Sequence, residues 1–331
     1  MMRIAMMGTG TFAEPTFEAL LAAKETVVGL VTQPDRDAGN KRASTRQTGI
    51  GMAAIAEAAG VPVLQPESIN TPEGVEALTA LAPDLLVVAA YGQILKPAVL
   101  AVPKLGAINV HASLLPKYRG AAPVAHAILH GEAETGVTVI RMSPGLDAGE
   151  MLAKQSLAIL HDETAGELEA RLAPIGARLA VEVIQKLKAG PVAGEKQDPA
   201  LVTKAPKLTK DMGLIDWSKP AEKVSRLVRA MQPWPTAYTF VHRPGKEPER
   251  VLINRVRKLG PVEGLTANST AVGTVIELDP DRLVVPVYDG SSVIEILELQ
   301  PAGKKRMTAA EFLHGHPAED GMRFGAELPL S

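Results

Sequence analysis

The sequence predicts a two-domain α/β protein, in which a mostly parallel sheet flanked by helices is followed by a second, smaller β-barrel. Three observations carry this prediction. The 331 residues exceed what one ordinary core needs and suit two. Up to Leu187, short β-rich runs alternate with longer helical patterns, the signature of βα units. Beyond Lys207 the chain changes to several short β-like runs punctuated by Gly and Pro.

In chain order, the strand-like runs of the first part are Arg3 to Met7, Thr26 to Thr32, Val61 to Gln65, Asp84 to Ala90, Ala107 to His111 and Gly136 to Met142. Helix starts are marked at Glu14-Pro15, where a first turn accepts proline, and at Thr71-Pro72-Glu73, where a capping hydroxyl precedes it. From Thr164 to Leu187, apolar residues recur at helical spacing, as at Leu168, Leu172, Ile175, Leu179 and Val183, so one long amphipathic helix closes the first domain. These signals give a domain over 1–188, a small-residue linker over 189–206 that opens on Ala189-Gly190-Pro191, and a second domain over 207–331. In that second domain a helical pattern runs from Ala221 to Met231. The β-like runs are Thr236 to Val241, Val251 to Val256, Thr270 to Leu278, Arg282 to Val287 and Ser292 to Gln300, which suggest a small, OB-like barrel.

Composition removes several chemistries. With no cysteine anywhere, disulfides, thiolate nucleophiles and cysteine zinc sites are excluded. A net charge of −2 argues against coating nucleic acid by bulk electrostatics and leaves room only for a local basic patch. No apolar stretch reaches the length needed to cross a bilayer, and the short run Met1 to Met7 lacks a cleavage site, so a cytoplasmic location is expected. His126 and His130 have metal spacing on a helix, but no third ligand accompanies them and no metal is expected.

Gly8-Thr9-Gly10-Thr11-Phe12-Ala13 follows the first strand and opens a helix, which fits the Rossmann dinucleotide fingerprint. Read alone, it makes a nicotinamide-dependent oxidoreductase the competing function. Asp35, however, lies beyond Pro34 in a polar loop rather than at a strand tip, where a carboxylate meets a ribose hydroxyl. A tight strand-to-helix turn explains the glycines equally well.

The stretch from Ile108 to Pro123 carries the chemistry. Side chains alternate along a strand, so Asn109 and His111 share one face at its C-terminal end, where ligands of open α/β sheets sit. An amide donor beside an imidazole polarises a carbonyl and handles a proton. A second polar segment, Met142 to Glu150, places Asp147 between glycines just after another strand, on a loop able to return towards His111. The ordinary alternatives are a structural histidine and a turn aspartate.

Together these segments resemble the catalytic core of the 10-formyltetrahydrofolate-dependent formyltransferases, in which an Asn, a His and an Asp form the active constellation and an S-L-L-P loop contacts folate. By that resemblance Asn109, His111 and Asp147 are catalytic, and Ser113, Leu114, Leu115 and Pro116 contact the folate. Tyr91, Gly92 and Ile94, in Ala90-Tyr91-Gly92-Gln93-Ile94-Leu95, match the family's pterin-side loop. The resemblance implies 10-formyltetrahydrofolate as formyl donor and a dinucleotide-type sheet that binds no dinucleotide.

The remaining chain resembles the branch of that family acting on methionyl-tRNA. Lys207-Leu208-Thr209-Lys210, Ile215-Asp216-Trp217, Arg229-Ala230-Met231, Pro233-Trp234-Pro235 and Gly303-Lys304-Lys305-Arg306-Met307 carry this likeness. It implies initiator methionyl-tRNA as partner, with Lys207, Lys210, Arg229, Lys304, Lys305 and Arg306 as phosphate contacts. Arg36, Lys41 and Arg42 lie where the family's acceptor-stem loop falls. That loop usually reads D-R-P-A-G-R-G with a later P-V-K, whereas this chain has Asp35-Arg36-Asp37-Ala38-Gly39-Asn40 and lacks the later motif. An amino-sugar nucleotide is the alternative acceptor, and a monomer is the expected state.

Overall fold

The computed structural model describes residues 1–34, 50–260, 271–279, 281–288 and 292–327. The chain divides into two compact units. The first comprises 1–127, 132–161 and 166–207, and the second 128–131, 162–165 and 208–331.

In the first unit the strands are β1 (Arg3–Gly8), β2 (Thr26–Val31), β3 (Val63–Leu64), β4 (Leu85–Ala89), β5 (Ala107–His111), β6 (Arg119–Gly120), β7 (Glu134–Arg141), β8 (Met151–Ala158) and β9 (Lys204–Ala205). Helices α1 (Glu14–Ala22), α2 (Met52–Ala58), α3 (Pro72–Ala80), α4 (Pro97–Leu100), α5 (Pro123–His130) and α6 (Ala165–Ala189) connect them. Among the described residues, seven strands form one sheet in the order β3-β2-β1-β4-β5-β7-β8. The pairings from β3 through β5 are parallel, and β7 and β8 add on antiparallel.

The central strands are the most apolar because helices cover both their faces. Ile4 to Met7 and Leu85 to Leu86 have no exposed surface. Strand β4 stops at Ala89 because Ala90 turns to φ 45°, one residue earlier than the sequence suggests. Edge strand β8, which the sequence pattern does not reveal, alternates half-buried and exposed positions from Ala153 onward. Helix α3 begins as expected. The Thr71 side chain accepts from the Gly74 amide at 3.1 Å, a cap worth about 1 kcal/mol.

The glycine-rich turn after β1 has a packing cause. A Cβ on Gly8 would lie 2.7 Å from Ala13 Cβ and 2.9 Å from the Ala89 carbonyl, so glycine lets the chain turn tightly into α1. Residues 189–206, read from the sequence as a linker, lie within the first unit. Met151 and Glu195 pair through both backbone groups, at 2.8 and 2.9 Å, and β9 runs parallel to β6.

The second unit contains α7 (Ala221–Ala230), β10 (Ala237–His242), β11 (Glu249–Leu259), β12 (Ile276–Asp279), β13 (Arg282–Val287), β14 (Ser292–Pro301), β15 (Met307–Thr308), α8 (Ala309–Gly315) and β16 (Arg323–Gly325). Its antiparallel strands run β12-β13-β14-β11-β10-β16, with β15 paired to β14. The two edges of this sheet meet. Val275 donates to the Met322 carbonyl at 2.9 Å and Phe324 donates to Gly273 at 2.7 Å, which curls the sheet into a small barrel. Strand β12 begins later than the sequence suggests because Gly273 sits at φ 84°, where a Cβ would meet the Phe324 carbonyl at 2.5 Å.

Candidate active site

Strand β7 runs antiparallel to β5, so its exit at Arg141 lies beside Ile108, at the start of β5. The loop that follows must therefore fold back over the sheet to reach the face carrying Asn109 and His111. Gly149 makes that return possible. A Cβ there would fall 1.6 Å from the Arg141 carbonyl oxygen, so only glycine lets the loop pass. Asp147 takes φ 46°, a left-handed conformation that aspartate tolerates better than most residues.

The result brings together the three residues singled out by the sequence. Asn109 Nδ2 donates to Asp147 Oδ1 at 3.3 Å, and the Gly120 amide donates to Asp147 Oδ2 at 2.9 Å. His111 Nδ1 lies 3.7 Å from Asp147 Oδ2. His111 Nε2 is 2.9 Å from the Tyr118 carbonyl. A carbonyl only accepts, so Nε2 carries a hydrogen, and Nδ1 is the nitrogen left facing the carboxylate. Both side chains are largely withdrawn from solvent, at 6% and 12% exposure, which strengthens electrostatics between them.

The loop after β5 is pinned from β7. The Thr138 hydroxyl accepts from the Leu115 amide at 3.1 Å and donates to the Ser113 carbonyl at 2.7 Å. Ser113 Oγ donates to the Lys117 carbonyl at 2.7 Å, and Leu115 packs with Ile140 and Met151. Thus Ser113 and Leu115 are turned inward, while Leu114 and Pro116 are partly exposed. Tyr118, at φ 63°, is held by Thr203 Oγ1 on its amide and donates its own hydroxyl to Glu132 at 2.7 Å. Burial, with the Glu132 hydrogen bond and charge, pushes that phenol above its ordinary pKa.

The loop after β4 presents its residues unevenly. Ile94 is 74% exposed and Gly92 takes φ 86°. The Tyr91 ring instead packs in the core with Met7, Ile69, Leu86 and Val99, and burial raises its pKa to about 12. Its hydroxyl is buried and has no hydrogen-bond partner among the described residues. A side-chain contact from Tyr91 to a ligand in front of the sheet therefore needs the ring to leave this cluster. Its backbone carbonyl, which accepts from Gln33 Nε2 at 3.1 Å, is already placed in the loop.

The cationic candidates separate into groups. Lys207, Lys210, Lys304, Lys305 and Arg306 are exposed, the last three on the turn between β14 and β15, with Arg306 paired to Glu298. Arg229 departs from the expectation of an open surface cation. It is half-buried, and its Nη1 donates to the Glu163 carbonyl at 3.0 Å. Burial pushes its pKa down against the opposing pull of Glu222, Asp162 and Glu163. Arg36, Lys41 and Arg42 lie outside the described residues. His126, of the pair with metal spacing, has its Nε2 3.1 Å from the Pro206 carbonyl. Among the described residues no group of three His, Asp or Glu is arranged to hold a metal ion.

Thr138, Thr203 and Gln197 brace this cluster and its loops but escaped the sequence reading, and Tyr118 and Gly120 entered it only as part of the stretch from Ile108 to Pro123. Thr138 alone left a signal, a lone hydroxyl inside the apolar run Val137 to Ile140.

A Rossmann-like sheet carrying an amide, an imidazole and a carboxylate over one strand defines an enzyme able to polarise a carbonyl and move a proton. The comparisons with known proteins narrow that class. The family model "Formyl transferase" matches residues 2–184, and "Formyl transferase, C-terminal domain" matches 207–317. The methionyl-tRNA formyltransferase of Geotalea uraniireducens is 44% identical over 324 residues, covering 98% of this chain and 98% of that protein. That of Methylococcus capsulatus is also 44% identical over 324 residues, covering 98% and 100%. The chain belongs to the methionyl-tRNA formyltransferase family and is a formyltransferase. Among solved structures, methionyl-tRNA formyltransferase from Clostridium thermocellum shares the fold at a TM-score of 0.55 and 15% identity, over 78% of this chain and 93% of that one. WlaRD, a sugar 3N-formyl transferase solved with dTDP and 5-N-formyl-THF, does so at 0.62 and 17% identity, over 92% and 99%.

Proposed function

We propose that this enzyme moves the formyl group of 10-formyltetrahydrofolate to the free amino group of the methionyl moiety on initiator methionyl-tRNA, for the start of translation. The observation that carries the chemical part is the meeting of Asn109, His111 and Asp147 from two separated segments on one face of the sheet. The observation that carries the acceptor is likeness to methionyl-tRNA formyltransferases over nearly the whole chain, the second unit included.

In this reading the amine attacks the formyl carbon and negative charge grows on the carbonyl oxygen. Asn109 Nδ2 and His111 Nδ1, when it carries a proton, stabilise that charge. Asp147 faces the imidazole and holds Asn109, fixing both donors before substrate arrives. A water takes the amine's proton, the departing folate nitrogen gains the one on His111 Nδ1, and the water's proton restores it, so the reaction balances without an external acid. Ser113 to Pro116 and the loop bearing Tyr91, Gly92 and Ile94 form the folate side. Exposed Ile94 and partly exposed Leu114 supply apolar contact, and Tyr91 contributes its backbone.

Lys207, Lys210, Lys304, Lys305 and Arg306 contact tRNA phosphates, with Arg36, Lys41 and Arg42 assigned to the acceptor stem. No metal takes part, and the protein works as a monomer in the cytoplasm, in keeping with a chain free of cysteine. No helix among the described residues is long and apolar enough to cross a membrane.

The test offers labelled 10-formyltetrahydrofolate with methionyl initiator tRNA and, in parallel, an amino-sugar nucleotide. Label in the tRNA is expected. Label in the sugar alone would keep the chemistry and overturn the acceptor.

A further inference from the structure

We infer that Gln197, on the segment leading from α6 to β9, is a positioning residue for the formyl transfer, holding Asp147 in its left-handed conformation. This rests on the reading of Asp147 as part of the catalytic cluster.

The primary amide of Gln197 has four hydrogen-bonding positions, two lone pairs on oxygen and two N–H groups. All four are occupied, and all four partners belong to the walls of the site. Oε1 accepts from Arg119 Nε at 3.0 Å and Arg119 Nη2 at 2.8 Å. Nε2 donates to the Asp147 carbonyl at 2.7 Å and the Gly149 carbonyl at 2.8 Å. Guanidinium only donates and carbonyls only accept, so a single orientation of the amide satisfies the set. An apolar residue or a carboxylate at 197 would leave carbonyls without a donor.

The geometry explains why this clamp acts on chemistry. Asp147 stands at φ 46° on a loop folded back over the sheet, and its carboxylate meets both the Gly120 amide and Asn109. Gly120 follows Arg119 on β6. Gln197 therefore ties the backbone of Asp147 to the strand whose next amide receives the Asp147 side chain. The same segment secures β6 again, because Arg119 donates to the Thr203 carbonyl at 2.9 Å. Backbone and carboxylate of Asp147 are thus fixed against one strand, and a loosened clamp lets the carboxylate drift from Asn109 and His111. Displacement of a reacting group by about 1 Å costs on the order of 100-fold in rate.

The test measures kcat and KM for Gln197→Ala and Gln197→Glu, alone and combined with Asp147→Ala, with circular dichroism to verify folding. Gln197→Glu retains the acceptors for Arg119 and loses both donors to the loop, so it keeps the test alive if the alanine variant folds poorly. The expected result is a fall in kcat of about 100-fold, with KM for the formyl donor and for tRNA within a few-fold of the parent. No further loss is expected when Asp147 is already alanine. Parent-like kcat in folded Gln197→Glu, or a rise in KM with kcat unchanged, would overturn the positioning role alone. Parent-like turnover in Asp147→Ala would overturn the catalytic reading and the positioning role together.

Discussion

Gly176, midway along α6, lies so close to Val110 of β5 that a Cβ at this position would sit 2.6 Å from Val110 Cγ1. Val110 stands between Asn109 and His111, so the helix seats itself on the part of the strand that carries both polar groups. A glycine inside a helix costs about 1 kcal/mol relative to alanine. Here it permits an approach no side chain allows.

Filling that approach should be destabilising. Gly176→Val gains helix propensity but forces Val110 or the helix aside, and overpacking of this kind costs about 1–3 kcal/mol. Thermal unfolding should show a lower midpoint, and turnover should fall with it because β5 shifts. An unchanged midpoint and rate would mean that the contact yields without cost.

Gly149→Ala should act on turnover more than on the fold. Its Cβ would collide with the Arg141 carbonyl, so the loop carrying Asp147 must move while the sheet beneath keeps its core. The expected outcome is a loss of kcat of about 100-fold or more, with a far-ultraviolet circular dichroism spectrum like the parent's. Retained activity would show that the loop has another route over β5.

The sequence revealed most of what lies at the centre of the first sheet and little of its edges. Strands β1 and β4 are nearly continuous apolar runs because they are covered on both faces, and such runs are legible. Edge strand β8 carries Lys154, Gln155 and Ser156 and reads as nothing in particular. Asn109, His111 and Asp147, which the fold brings together, were singled out because two motifs agreed. Gln197 sits in an aperiodic tract, and nothing in its neighbours betrays contacts with Arg119 and Asp147. In the second unit α8 was missed although Thr308 and Glu311 have capping-box spacing and form one. That signal was readable.

A charged triad in the second unit predicts an acid limit to stability. Glu295 on β14 is 4% exposed, receiving Arg282 Nε at 2.7 Å and Arg257 Nη2 at 2.6 Å from the neighbouring strands. Burial works to raise its pKa, but the hydrogen bonds and charges of Arg282 and Arg257 outweigh it and hold it below the ordinary carboxylate value. A carboxyl whose folded pKa is lowered stabilises the fold above its unfolded value and loses that contribution as pH falls through the folded one. Glu295→Gln should therefore cost about 2 kcal/mol at pH 7, and the gap from the parent should close below about pH 4. Denaturant unfolding at both pH values measures it, and a gap independent of pH would exclude the ion pairs as its source.

Lys304 and Lys305, exposed on the turn between β14 and β15, should act on tRNA affinity alone. Each phosphate contact contributes about one unit to the slope of log affinity against log salt. Replacing both with alanine should lower that slope by about two and weaken binding, while kcat at saturating tRNA holds. An unchanged slope would remove this turn from the tRNA surface.

The most direct test of the central claim is the rate at which Asn109→Ala transfers labelled formyl from 10-formyltetrahydrofolate to methionyl initiator tRNA, both substrates saturating. Loss of one donor to the developing oxyanion predicts a fall in kcat of about 100- to 1,000-fold in a folded protein. Parent-like turnover would contradict the assignment of the Asn109, His111 and Asp147 cluster as the seat of formyl transfer.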